Sequence, residues 1–432
     1  MLVNFRFKNC RSFYSETELS MEATSDTELR EINTFSVGEN LMKGGDNELL
    51  KAAVIFGSNA SGKSNVIKAL SYMRNVILYS ASQMPIVQGN DSFAFYENAD
   101  KEETLYEVEF IQNSAFYRYG FKLCEGAVIG EWLYRRVERL TPIFTRDKKG
   151  LYITGSDKVA ARLINLANSS LFLSVGSNFH LEIAAALADV MSWFQNLLIV
   201  FENTANSLDI YTFENGKYKE QALRILQLAD IGIKDMEVRK DKIVNIADLN
   251  DVLRFNTQMQ TQPEALRGQL KQEETNLFNI DMLTAFDVFN AEKERVGSED
   301  IMLFKDSGFN SEGTVRLLCY LGWLLVALDK GKVIFIDEID SRLHFLVADY
   351  LIRLFNSIDK NRNNAQLICT AHNVMLMDED LRRDQIYFTS KDKYGESKLV
   401  SLSDFNSVRK NDLFSKKYLA GFYAGLPNMQ DD

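Results

Sequence analysis

Eight consecutive residues of this chain have the types and spacing to hold a polyphosphate: Gly57, Ser58, Asn59, Ala60, Ser61, Gly62, Lys63 and Ser64. They read G-x-x-x-x-G-K-S. The glycines let the backbone curl so that successive N–H groups point inward at an anion. Lys63 is placed to neutralise the β- and γ-phosphates, and the Ser64 hydroxyl to ligate Mg²⁺. A second group lies far downstream, where Lys332-Val-Ile-Phe-Ile336 ends in Asp337 and Glu338. An aspartate at that strand end can hold the water shell of Mg²⁺, and the adjacent glutamate can orient and deprotonate an attacking water. A third is His372 in Thr370-Ala-His-Asn373, whose neutral imidazole can sense a γ-phosphate and the attacking water. A fourth is Ser311-Glu-Gly313, which offers a hydroxyl and a close backbone N–H at the start of a helix.

These residues need a particular scaffold. Ala52 to Phe56 is an apolar run that reads as a buried strand, and Asn65 to Tyr72 reads as the start of a helix whose positive end faces the loop. Lys332 to Ile336 and Gln366 to Thr370 read as continuous apolar strands of a parallel sheet, with Ser341 to Ile358 a helix between them. Val315 to Leu328 is apolar almost all round and reads as a buried helix. Gln385 to Thr389 and Lys398 to Leu402 add strands. Ligands of open α/β sheets bind at the carboxyl ends of such strands. Because Lys63 and Asp337 are so far apart in sequence, the nucleotide core must be assembled from both ends of the chain around a long insertion.

The remainder supports this plan. Val3, Phe5 and Phe7 alternate with polar residues, and Thr17 to Met21 follows, so a β-hairpin precedes the phosphate loop. From Ser92 to Ile153, segments such as Tyr106–Phe110, Phe116–Tyr119 and Trp132–Tyr134 carry the aromatic and branched residues of an antiparallel sheet. Residues 157–297 read as mostly helical, notably Leu181 to Leu198 and Glu220 to Leu228, with a strand-like break at Leu208 to Phe213. The polar stretch Gln258 to Glu274 reads as an exposed arm or lid. The expected division is therefore 1–156 and 298–432 as the two parts of the nucleotide core, with 157–297 a mostly helical insertion or lid.

Composition limits the partners. With 46% apolar and 25% charged residues, the 432-residue chain has the makeup of a folded, soluble protein. Its net charge of −11 does not indicate a whole-surface grip on nucleic acid. Only local groups, Arg135, Arg136 and Arg139 or Arg239, Lys240 and Lys242, offer basic patches. Cys10, Cys124, Cys319 and Cys369 show no paired spacing, and with three histidines neither a disulfide framework nor a zinc site is supported. Met1 to Cys10 has no signal-peptide core, and Leu317 to Leu328 is too short to cross a bilayer, so a cytoplasmic location is expected.

In its order of motifs the chain resembles the ATPase heads of the ABC, SMC and RecF class. Within that class it is most similar to the AAA-type ATPases of phage-defence and abortive-infection loci, the RloA/AbiL-like proteins. Beyond the phosphate loop, the resemblance is carried by Asn9-Cys-Arg-Ser-Phe13, Asn168-Ser-Ser-Leu-Phe-Leu-Ser174, Ser311-Glu-Gly-Thr314 and Phe335-Ile-Asp-Glu-Ile-Asp340 with Leu343-His344. Thr370-Ala-His-Asn373, Arg382-Arg-Asp-Gln-Ile386, and Arg409-Lys410 with Lys417-Tyr-Leu-Ala-Gly421 complete it. The resemblance implies a P-loop α/β fold that binds ATP and Mg²⁺ and hydrolyses ATP slowly. It implies a homodimer, or a higher homo-oligomer, that sandwiches ATP, with Ser311 and Gly313 reaching the nucleotide of the facing subunit. Arg11 would touch nucleotide phosphate or ribose, and the loop carrying His344 would cross the interface. The implied role is a switch in anti-phage defence that works with a separately encoded effector, often a nuclease. A DNA-repair ATPase that clamps DNA itself, and a scaffold glued by ATP, are the alternatives. The chain departs from the family in having Phe345 where Pro usually follows the histidine. Gln83 and Gln88 are undistinguished candidates for the glutamine loop.

Overall fold

The computed structural model describes residues 1–38, 41–42, 47–82, 85–89, 91–158, 164, 166–176, 179–201, 210–229, 231–242, 278–303, 309–405, 412–423 and 425–426. The chain forms two compact units, one of residues 1–202 with 327–432 and one of residues 203–326.

The first unit contains the sheet that the phosphate loop requires. Its order is β11 (Leu198–Val200), β15 (Val333–Ile336), β16 (Gln366–Thr370), β5 (Ala52–Gly57), β17 (Ile386–Lys391) and β18 (Ser397–Ser401). The first five run parallel, and β18 pairs antiparallel with β17. Every residue of β15 and β16 is buried, which explains why each is a continuous apolar run. Strand β16 lies between β5 and β15, so the loops after three neighbouring strands open at one edge.

The second sheet is antiparallel. It runs β10 (Gly150–Ile153), β9 (Leu140–Asp147), β8 (Ala127–Arg136), β7 (Ala115–Cys124), β6 (Thr104–Gln112), β1 (Leu2–Lys8) and β2 (Thr17–Ser20). The expected N-terminal hairpin is its β1–β2 edge. A short ladder pairs β3 (Thr34–Ser36) with β4 (Glu48–Leu50).

Helix α1 (Lys63–Tyr79) joins the two sheets. Its Val66, Ile67, Leu70, Met73 and Ile77 share one buried cluster with Phe5, Phe7, Tyr106 and Tyr117 of the antiparallel sheet and with Ala53, Ile55, Phe335 and Ile368 of the parallel one. Helix α2 (Ala184–Asn196) adds Trp193, stacked on Phe110 with ring centroids 4.4 Å apart. The start of α1 is thereby anchored from both sides.

Two sequence motifs prove to be structural ties. In the Asn168–Ser174 segment, the N–H groups of Phe172 and Leu173 donate to buried Glu131, and Ser170 Oγ donates to the carbonyl of Ser80 beyond α1. In Arg382–Ile386, buried Gln385 donates to Ala52 O at the start of β5 and accepts from Asn33 Nδ2.

Where a mostly helical insertion is expected over residues 157–297, the described residues of the second unit include strands as well as a helix. Helix α3 (Gly216–Leu228) is present, but β12 (Ile233–Lys242), β13 (Phe278–Phe289) and β14 (Arg295–Met302) form a three-stranded antiparallel sheet. The period of two is interrupted by register shifts at Ile233/Asp235 and at Val288/Phe289, which hides these strands from a periodicity argument. The described part of the expected break at Leu208 to Phe213 is a 3₁₀ turn, Ile210–Glu214, rather than a strand. Helix α4 (Glu312–Lys330) starts in this unit, and its last residues, from Ala327, belong to the first. The polar stretch Gln258 to Glu274, Gln83, Arg409 and Lys410 lie outside the described residues. Gln88 closes a short helical turn, Pro85–Gln88. Among the described residues no helix is long and apolar enough to cross a membrane. One proposed basic patch is also corrected: Arg136 is buried over the Phe116 ring and donates to Leu41 O.

Candidate nucleotide-binding site

The loop between β5 and α1 is shaped by its neighbours. Gly62 has φ +114°, and a Cβ there would lie 2.6 Å from Ser397 Oγ and 3.0 Å from Ser12 Oγ. A Cβ on Gly57 would lie 2.5 Å from Thr389 O. Both glycines are therefore required by close approach of β17 and β18 as well as by the turn. Ser61 Oγ lies 2.6 Å from Thr389 Oγ1, and Ala60 is left-handed with φ 61°. The Ser58 N–H donates to Gly425 O, so the C-terminal segment buttresses the loop from outside. The Asn65 N–H donates to Gly62 O at 2.9 Å, whereas the N–H groups of Lys63 and Ser64, the first two of α1, have no acceptor further back in the helix and are available to an anion.

Lys63 is buried and folded over the loop, its Nζ donating to Gly57 O at 2.8 Å and to Ser58 O at 3.2 Å. Burial lowers its pKa, and the carboxylates of Glu338, Asp337 and Asp340 oppose that shift. A bound phosphate would replace the two carbonyls as acceptor and further favour the charged amine.

The acidic strand delivers its carboxylates to the same edge. Asp337 is buried, and Thr370 Oγ1 donates to its Oδ1 at 2.8 Å. Glu338 has a left-handed backbone, φ 56°, with its N–H donating to Thr370 Oγ1 at 2.7 Å. His372 Nε2 lies 3.4 Å from Glu338 Oε1. Asp340 Oδ2 accepts the N–H groups of His372 at 2.8 Å and Asn373 at 2.6 Å, which fixes the loop that carries the imidazole.

A cleft of about 690 Å³ is lined by Asn59 to Asn65 together with Lys68, Glu338, His372 and Lys391. The structure thus brings the loop residues Lys63 and Ser64 together with Glu338 and His372, the two groups expected to handle water. Four expected residues are placed otherwise. Arg11 is left-handed, pairs with Asp91 at 2.5 Å and does not line this cleft. Its neighbour Ser12 is the residue of that motif that reaches the loop region, its Oγ accepting from Asn65 Nδ2 and from Ser397 Oγ at 2.8 Å each. Ser311 and Gly313 belong to the second unit, where Ser311 starts α4, its Oγ accepting the Thr314 N–H at 3.1 Å. His344 starts helix α5 (Phe345–Asn356), and its Nδ1 accepts the Leu346 N–H, so Phe345 occupies the first helical position.

Lys68 and Lys391 were not anticipated. Lys68 could have been found, because it follows Ser64 by one helical turn on α1. Lys391 ends β17 beside β5, a neighbour relation that only the sheet order reveals. Among the described residues no group of three or more His, Cys, Asp or Glu side chains could hold a metal ion. The donor set of Ser64 and Asp337 nevertheless suits Mg²⁺, which takes one or two protein oxygens and completes its octahedron with phosphate and water. Thr370 engages one oxygen of Asp337 and leaves the other for that shell.

Residues 52–378 match the model of the family described as "AAA domain, putative AbiEii toxin, Type IV TA system". The chain belongs to this family. The match starts with β5 and extends past His372, so it includes the phosphate loop, the acidic strand and the histidine loop. No curated protein matches the chain. The match and the sheet together describe an AAA-type P-loop ATPase domain built on a mixed α/β sheet.

Proposed function

We propose that this AAA domain is an ATP-dependent switch of the ABC/SMC head type that hydrolyses ATP slowly. The observation that carries the reading is the single cleft in which Lys63 and Ser64 face Glu338 and His372. Lys63 and the loop N–H groups hold the β- and γ-phosphates, and Ser64 and Asp337 hold Mg²⁺. Glu338 takes the proton of the attacking water, and His372 orients that water and the γ-phosphate. The Mg²⁺ supplies charge neutralisation for the phosphates.

Ser311 and Gly313 serve a second nucleotide surface, that of a facing copy. The motivation is that the phosphate loop is already a full cradle, whereas Ser311 and Gly313 form another helix start, exposed in part and placed in the other unit. The family's association with toxin–antitoxin systems supports a role in phage defence with a separately encoded effector. Glu338→Gln keeps the side-chain shape and removes the base. It should accumulate an ATP-bound dimer, visible as a mass increment in light scattering on adding ATP. Glu338→Gln with Ser311→Arg should bind ATP through Lys63 and lose that increment. An equal increment in both proteins removes Ser311 from the bridge.

A further inference from the structure

The cleft residues described above leave unexplained what holds the two carboxylates in place. Thr370 is the last residue of β16, fully buried, and its hydroxyl touches both acidic residues. The Glu338 N–H can only donate, so at 2.7 Å it occupies an oxygen lone pair of Thr370. The single hydroxyl proton is then directed to Asp337 Oδ1, 2.8 Å away. The Thr370 carbonyl also accepts the Ile339 N–H at 3.0 Å. Glu338 needs such support, since its φ of 56° lies in the region that disfavours side chains larger than glycine. Without an acceptor for its N–H, this residue could relax toward extended backbone and swing its carboxylate away from His372.

We propose that Thr370 is the positioning residue of both acidic groups. Its proton fixes one oxygen of Asp337 and leaves the other to the metal's shell. Its lone pair holds the Glu338 backbone in the left-handed turn that aims the carboxylate into the cleft. Thr370 does not line that cleft, so it acts through its two neighbours and not on the nucleotide. The Glu338 half of this inference rests on the ATPase reading, whereas the Asp337 half rests only on metal-assisted nucleotide binding.

The test uses the full chain carrying Thr370→Val or Thr370→Ser, a fluorescent ATP analogue titrated with and without Mg²⁺, and steady-state phosphate release. A hydrogen bond to a charged group is worth on the order of tenfold or more in an equilibrium. Thr370→Val should keep metal-free nucleotide affinity within about twofold, while its Mg²⁺ half-saturation rises about tenfold. Its kcat should fall about tenfold or more with KM for ATP at saturating Mg²⁺ nearly unchanged. Thr370→Ser, which retains the hydroxyl, should restore both. Thr370→Val with wild-type metal requirement and kcat overturns the proposal, as does Thr370→Ser impaired as deeply as Thr370→Val. If Thr370→Val does not fold, Thr370→Cys takes its place, since a thiol donates and accepts only weakly. A wild-type chain that binds Mg²⁺ and nucleotide but releases no phosphate ends the ATPase reading. In that case the shift in Mg²⁺ half-saturation by itself upholds or overturns the role of Thr370.

Discussion

Arg382 and Arg383 are adjacent in one motif, yet truncating them should have very different effects. The Arg382 side chain is 0% exposed. Its Nε and Nη2 donate to the two oxygens of Asp384 at 2.9 and 2.7 Å, and its Nη1 donates to Asp26 O and Glu28 O at 2.8 and 2.6 Å. A further bond runs from Nη2 to Thr24 O at 3.3 Å. Arg382→Ala removes all of these and leaves Asp384 buried. Breaking a buried ion pair on one side costs about 3–5 kcal/mol. The N–H and hydroxyl of Thr24, both donating to Asp384 Oδ2, soften the loss, so about 3 kcal/mol is expected. Arg383 pairs with Asp26 through Nε and Nη2, but its side chain is 32% exposed. Arg383→Ala should therefore cost no more than about 1 kcal/mol. Urea unfolding of both variants measures the difference, which should reach roughly 2 kcal/mol. Thermal melting should follow at about 2–4 °C per kcal/mol. An Arg382→Ala protein as stable as Arg383→Ala would refute the view that this motif pins the N-terminal segment to the sheet.

The remaining predictions concern the cleft. Gly62→Ala forces a side chain into a φ of +114° and against Ser397 Oγ, so the loop must shift. ATP affinity should drop by about tenfold or more while the thermal melt keeps a single folded transition, with calorimetry and melting as the two readouts. Glu338→Gln should bind ATP normally and release phosphate at least about a hundredfold more slowly, as expected for losing a general base. Turnover near wild type would assign the proton transfer to another group.

Most of the site was legible from the chain because its residues sit where strands stop. Asp337 and Glu338 follow an unbroken apolar run, and His372 follows another, so period and length alone place them at one edge. The order of those strands was not legible. Nothing local tells that β16 lies between β5 and β15, and it is this order that makes Thr370 a neighbour of Asp337 and Glu338. The same holds for Lys391 and for Thr389, which meet the loop only because β17 pairs with β5. In the Asn9–Phe13 motif the resemblance directed attention to Arg11, whose positive φ and pairing with Asp91 carry it elsewhere, while Ser12 faces Asn65. The β12–β13 pairing was missed for a different reason. Charged residues occupy much of β12, and a bulge at Ile233/Asp235 breaks the alternation that would have marked it.

On the proposed function, this cleft binds ATP through the phosphate loop. Calorimetric titration of Mg²⁺–ATP into the wild-type chain and into Lys63→Ala tests it most directly, with melting curves to confirm that both are folded. Wild type should bind, and the variant should weaken by about a hundredfold or more, since it loses a charge-assisted contact to two phosphates in a buried setting. Equal affinity in two folded proteins would place the nucleotide elsewhere and contradict the assignment.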